Sequence, residues 1–245
     1  MNNKVRRFVA IVEIGFVLIT PLTGAFADAD SEKRAFGDSR DFKKLSAEWW
    51  QWALSIPTFV NPQLDPSGDN AAIGQHGTVW FLAGVFNGFN GGTVIRSCSV
   101  PEGTELFFPV INDVEINTPN VCGSLPTNVS VRDLRATAAT HINGAINLSV
   151  TLDGKTIKDL RRVKSEVFEV ALPADNVFDA PCTGAGLGDV PAGVYSPAVD
   201  EGFYVLLDPL DIGRPHTLHF HADNPSQGVT QDVTYILNVV PVLLK

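Results

Sequence analysis

Apolar positions along the chain change period near residue 57. Before it, Trp49, Trp52, Ala53 and Ile56 recur at i, i+3, i+4 and i+7, which places them on one helical face. Ser46 stands where an N-cap is expected, Glu48 suits the positive helix end, and Pro57 follows the last apolar residue. The spacing predicts a helix over 46–56 carrying three of the four tryptophans. The face formed by Trp49 and Trp52 is expected to dock on a core, since such rings bury large area. Trp50 lies off that stripe and is the candidate for ligand contact.

After Pro57 the period is two. Residues 78–85, 93–98, 105–111, 146–152, 167–172, 203–207, 217–222 and 232–240 read as strands. Ile146, Leu148, Val150 and Leu152 alternate with Asn147, Ser149 and Thr151, giving one buried and one wet face. Asp153-Gly154 then offers a two-residue hairpin turn. A second helix is expected over 131–142, with Ser130 as N-cap and Gly144 as stop. The Gly-rich stretch 181–192 reads as a long surface loop. Strands dominate without βα alternation, which predicts a mainly β fold: an antiparallel β-sandwich, immunoglobulin-like or jelly-roll-like, occupying 46–245 as a single domain.

Composition narrows the function classes. The chain has 245 residues, 44% hydrophobic and 18% charged, and a net charge of −9. That excludes a disordered chain and argues against nucleic-acid binding, which requires a basic footprint. Lys4, Arg6 and Arg7 precede an apolar run over 8–19, and Ala25-Phe26-Ala27 supplies a small-residue cleavage pattern. Residues 1–27 are therefore expected to be a secretory signal peptide, directing the chain to the periplasm or the extracellular space. Its removal takes the charge from −9 to −11. No later stretch is long enough to span a bilayer. Residues 28–45 are highly charged and read as a mobile leader.

In an oxidising compartment Cys98, Cys122 and Cys182 are expected to form one bridge and leave one thiol, with all three pairings open. A cysteine nucleophile served by His141 or His76 is the functional alternative. G-x-S-x-G, H-E-x-x-H and P-loop motifs do not occur. Gly184-x-Gly186-x-Gly188 lacks the strand and helix of a dinucleotide fingerprint. Lys155, Lys158, Arg161, Arg162 and Lys164 form a solvated basic face. Asp113 and Glu115 sit at strand spacing, a carboxylate pair able to do acid/base work.

Trp49-Trp50-Gln51-Trp52, then Val79 to Gly84 (VWFLAG), Arg96-Ser97-Cys98 with Val100-Pro101, and Leu106-Phe107-Phe108-Pro109 stand in order along the chain. Together they resemble a family of uncharacterised exported bacterial proteins. Leu206-Leu207-Asp208-Pro209-Leu210 and Asp232-Val233-Thr234-Tyr235 extend the likeness. The resemblance implies export and a shared fold, and no reaction. In that family a Cys often stands shortly before the position of Gln75, where this chain has Ala71 and Ala72. The departure implies a cysteine that has lost its partner and leaves open which. The closing pair of strands, from Gly213 to Val239, also resembles the final hairpin of immunoglobulin-like secreted domains.

His216, His219 and His221 crowd one strand, with His219 and His221 on the same face. With Asp223, or else Asp200 or Glu201, as third ligand, His219 and His221 are the candidate site for a divalent transition metal. The glutamate of a cupin motif is missing, since Ala222 to Ser226 follow. Two functions follow. The first is an exported protein with no cofactor that binds a glycan or protein partner. The alternative is a metal-dependent exported enzyme built on His219 and His221.

Overall fold

The structure is a computed structural model that describes residues 41–242. The expected signal peptide, 1–27, and the leader as far as residue 40 lie outside the described residues. Among the described residues, three α-helices, α1 (Phe42–Ser55), α2 (Val131–Ile142) and α3 (Asp179–Gly184), accompany ten strands. The strands are β1 (Val79–Phe81), β2 (Thr93–Pro101), β3 (Glu105–Ile116), β4 (Ile146–Leu152), β5 (Lys155–Thr156), β6 (Arg161–Lys164), β7 (Phe168–Leu172), β8 (Gly193–Leu207), β9 (Pro215–Asn224) and β10 (Val229–Val240).

Helix α1 begins four residues before the expected start. Asp41, not Ser46, is the N-cap, its Oδ1 accepting from the Lys43 and Lys44 amides at 3.0 and 3.4 Å. Phe42 and Leu45 are thereby added to the apolar face, two turns ahead of Trp49 and Trp52. The adjacent lysines, which suggested a leader, occupy the helix's exposed side. Ser46 is buried in the helix and donates its hydroxyl to the Lys43 carbonyl. Ile56, forced out of helical geometry by Pro57, ends the helix in an extended conformation.

The strands form two five-stranded sheets, as the alternating pattern predicts. One has the order β1-β3-β8-β6, with β7 pairing a further stretch of β8. The other runs β2-β10-β9-β4-β5. Most ladders are antiparallel; β1–β3 and β2–β10 are parallel. Those two pairings join strands that no hairpin connects, so local periodicity gives no sign of their direction. Asp153 and Gly154 both take positive φ and close the β4–β5 hairpin as expected.

Two apolar cores flank the first sheet. Between the sheets, Leu106, Phe108 and Val110 of β3 meet Leu218 and Phe220 of β9 and Tyr235 of β10. On the opposite face, Phe107 and Tyr204 stack at 5.2 Å beneath α1, in the same core as Trp49 and Trp52. Strand β3 is thus buried on both faces, which accounts for its unbroken apolar run from Leu106 to Ile111. Each fully buried large apolar side chain contributes roughly 1.5–3 kcal/mol.

Two covalent or polar ties hold loops to this frame. Arg96, 1% exposed, donates to the carbonyls of Asp65, Ala83 and Gly84 and to the Tyr235 hydroxyl, joining a loop and two strands. Cys122 and Cys182 form the disulfide, and Cys98 is the free thiol. Closing a sequence separation of 60 contributes about 4 kcal/mol in the chain-entropy account. None of the described helices is long and apolar enough to cross a membrane.

Candidate functional site

The first sheet has an incomplete edge. β1 pairs with β3 over Glu105–Phe107 only, and the next stretch of β3 borders a cleft of about 370 Å3. Ile111 to Val114 form one wall, and His141 and Ile142 at the end of α2 form another. Phe86, Phe178 and Cys182 close a further side, opposite the β9–β10 turn with Gln227. Phe86 and Phe178 meet edge to face with centroids 5.5 Å apart. Few polar groups here are free. Gln231 is tied in both directions to the Val85 backbone, and Asn224 donates to the His141 carbonyl at 2.7 Å. Gln63 is different. It lines the cleft with 3% of its surface exposed, and its Oε1 accepts no hydrogen bond. Such a buried acceptor costs free energy unless a partner supplies the donor.

A carboxylate and imidazole cluster opens on the same cleft. Asp113 and Glu115, two apart on β3, project to one face, and α2 places His141 over them. His141 Nδ1 lies 3.2 Å from Asp113 Oδ2 and 3.3 Å from Glu115 Oε1. Burial pushes the Asp113 carboxyl up, opposed by His141. Burial, with the neighbouring Asp113 charge, pushes Glu115 up to about 7. The adjoining Glu201, opposite Asp113 in the ladder, is already held by Arg162 at 2.6 Å.

Behind the cleft wall lies a buried carboxyl. Asp200 is fully buried; its Oδ1 accepts from Trp50 Nε1 and from the Tyr204 hydroxyl, each at 2.8 Å. The Tyr204 hydroxyl in turn accepts from Asn112 Nδ2 at 3.0 Å. Trp50 and Asn112 both line the cleft, so Asp200 joins two of its walls from within. Burial raises the Asp200 carboxyl to about 8. Gly202 makes this crossing possible: a Cβ there would lie 2.5 Å from the Asn112 Cβ and 2.8 Å from the Tyr204 ring.

Comparison of the chain with family models, curated proteins and solved structures returned no match. What the cleft can do is set by its own residues.

The residues singled out in the sequence fall as follows. Trp50 is 4% exposed and its indole N–H is committed to Asp200, so it lines the cleft as a fixed wall and offers no open stacking platform. His219, His221 and Asp223 alternate along β9 with the inward Leu218, Phe220 and Ala222. His219 Nε2 meets Asp232 Oδ1 at 2.7 Å, and His221 Nε2 meets Asp223 Oδ2 at 3.1 Å. Asp223 also accepts from Asn147 and Thr230. His221 Nδ1 also lies 3.8 Å from Asp232 Oδ1, so both imidazoles face Asp232, and His221 engages Asp223 through its other nitrogen. Among the described residues, the metal-ligating atoms that all lie within 4.8 Å of one another belong to Asp113, Glu115 and His141. His216 is buried between Asp153 and the Asp211 carbonyl and clamps a turn.

Cys122 is bonded to Cys182, and burial raises the Cys98 thiol to about 12, which leaves Cys98 protonated and unreactive at neutral pH. Cys98 and Ala72 line one small hollow. The Asp113–Glu115 spacing was visible in the sequence; the arrival of His141 beside it was not. The missing signal is tertiary, because it depends on how α2 packs across β3 and β8.

Proposed function

We propose that this chain is an exported binding protein whose cleft takes the end of a glycan. The observation that carries the reading is the cleft itself: aromatic edges from Phe86 and Phe178 beside a buried, unpartnered Gln63 acceptor and the exposed Gln227 amide. Aromatic and aliphatic side chains interspersed with hydrogen-bonding groups suit a ligand that is itself amphipathic, and about 370 Å3 falls within the usual size of small-ligand sites. Sugars present alternating C–H faces and hydroxyls, which suits rings and amides together.

Export is supported by the charged and apolar pattern of residues 1–27 and by the Cys122–Cys182 bridge, which suits an oxidising compartment such as the periplasm or extracellular space. Glycan-array screening followed by calorimetry tests the function. Wild type should bind a saccharide, and Phe178→Ala/Gln227→Ala should weaken it about tenfold or more, the scale of losing one good apolar contact and one hydrogen bond. The unfolding midpoint gauges whether the double variant keeps its fold. Absence of saccharide binding by wild type, or undiminished affinity in the folded double variant, overturns the reading.

A further inference from the structure

We infer that Asp113, Glu115 and His141 form a binding site for one divalent transition cation such as Zn2+ or Mn2+ at the wall of the cleft. The site is separate from the His219 and His221 strand face and does not depend on the ligand being a glycan.

The donor set is two carboxylate oxygens and one imidazole nitrogen, a combination that suits first-row divalent ions. The donors come from two rigid elements, β3 and the last turn of α2. Asn224 fixes that turn by donating to the His141 carbonyl, so the imidazole is held over the strand and not left on a free helix end. The spacing fits an ion. Metal–ligand bonds of about 2.0–2.2 Å place adjacent donors roughly 2.8–3.6 Å apart in octahedral or tetrahedral geometry. His141 Nδ1 lies 3.2 and 3.3 Å from the two carboxylate oxygens, within that interval.

Charge and surroundings agree. Both carboxylates pair with His141, whereas neighbouring Glu201 is neutralised by Arg162 and Lys164. The three side chains are half-buried, so an ion there would be partly desolvated while remaining open to the cleft that Asp113 and His141 line. A second observation comes from outside the cluster. Gln63, more than nine-tenths buried in the wall of the same cleft, keeps an Oε1 without a donor. Three protein donors leave further positions for water from the cleft.

Calorimetric titration of chelator-treated full-length chain with Zn2+ and, separately, Mn2+ tests the site without any saccharide. The expected result is saturable binding of one ion per chain. Asp113→Asn/His141→Gln should weaken it by about a hundredfold, and Glu115→Gln alone by about tenfold or more, since even groups behind a ligand change affinity tenfold to a hundredfold. His219→Ala/His221→Ala should leave it unchanged. Thermal unfolding establishes that each variant folds, and Co2+ absorption gives a second readout, because its visible bands should fall in the His141 variant. Failure of wild type to bind either ion overturns the proposal. So does retention of full affinity in Asp113→Asn/His141→Gln, or loss of binding in the His219/His221 variant. Glycan binding with failed ion binding would remove this site alone, and ion binding with failed glycan binding would remove the glycan reading alone.

Discussion

The residue that most rewards attention is Asp200. In sequence it stands in Val199-Asp200-Glu201-Gly202, where it is one of the acids able to complete a metal site with His219 and His221. In the fold it lies under α1 with one oxygen bonded to Trp50 and Tyr204 and the other without a partner. Burial raises its carboxyl from 3.8 to about 8, so the folded state holds the proton more tightly than the unfolded chain. Its contribution to stability is therefore fully present below about pH 4 and is lost as pH rises towards 8. Asp200→Asn keeps an acceptor for Trp50 and Tyr204 and removes the charge. Thermal unfolding between pH 5 and pH 8 should show a smaller loss of stability for the variant, by an amount on the order of a few kcal/mol. Parallel curves for wild type and variant would show that Asp200 does not titrate in this interval. Nothing in a single sequence marks such a carboxyl as buried, because its burial follows from the packing of a helix 150 residues away.

At the scale of elements, helices and strands were largely legible and their partners were not. The interval 131–142 and its Ser130 cap match α2, where the Ser130 hydroxyl accepts from the Asp133 amide. The strand expected over 146–152 is β4. The tryptophan stripe was correct, yet Phe42 and Leu45 were hidden among charges, and the start of α1 moved to Asp41. Strand β8 was seen only over its final five residues, because 193–202 mixes glycine, serine, proline and acids and so breaks the apolar pattern, although β8 lies inside the sheet between β3 and the β6 and β7 strands. At Gly202 the backbone of β8 passes close to Asn112 of β3. Ala at this position has no strain in φ, but its Cβ meets Asn112 and Tyr204 at 2.5 and 2.8 Å. Gly202→Ala should lower the urea unfolding midpoint, with a loss of about 1–3 kcal/mol typical of overpacking. An unchanged midpoint would mean that the Asn112–Tyr204 contact yields freely.

At the scale of the molecule, the pattern of period two was enough to give a mainly β sandwich, and two sheets with an apolar layer between them are present. The second core, between α1 and the first sheet, was half legible in the docking of Trp49 and Trp52. The cleft was not legible. Gln63, Asn112, His141, Phe178 and Gln227 lie in five separate segments, and they meet because β1 leaves part of β3 uncovered while the Cys122–Cys182 bridge draws α3 alongside. The histidine-rich strand was conspicuous in sequence, whereas His219 and His221 are held by Asp232 and Asp223 on the outer face of the second sheet, away from the cleft.

The central claim, that the incomplete edge of β3 is where this protein takes its ligand, is tested most directly by NMR chemical-shift mapping with a bound saccharide. The expected perturbations gather on Gln63, Asn112, Phe178 and Gln227 and leave His219 and His221 in place. Perturbations centred on the outer face around His219 and His221, with the cleft residues unmoved, would contradict it.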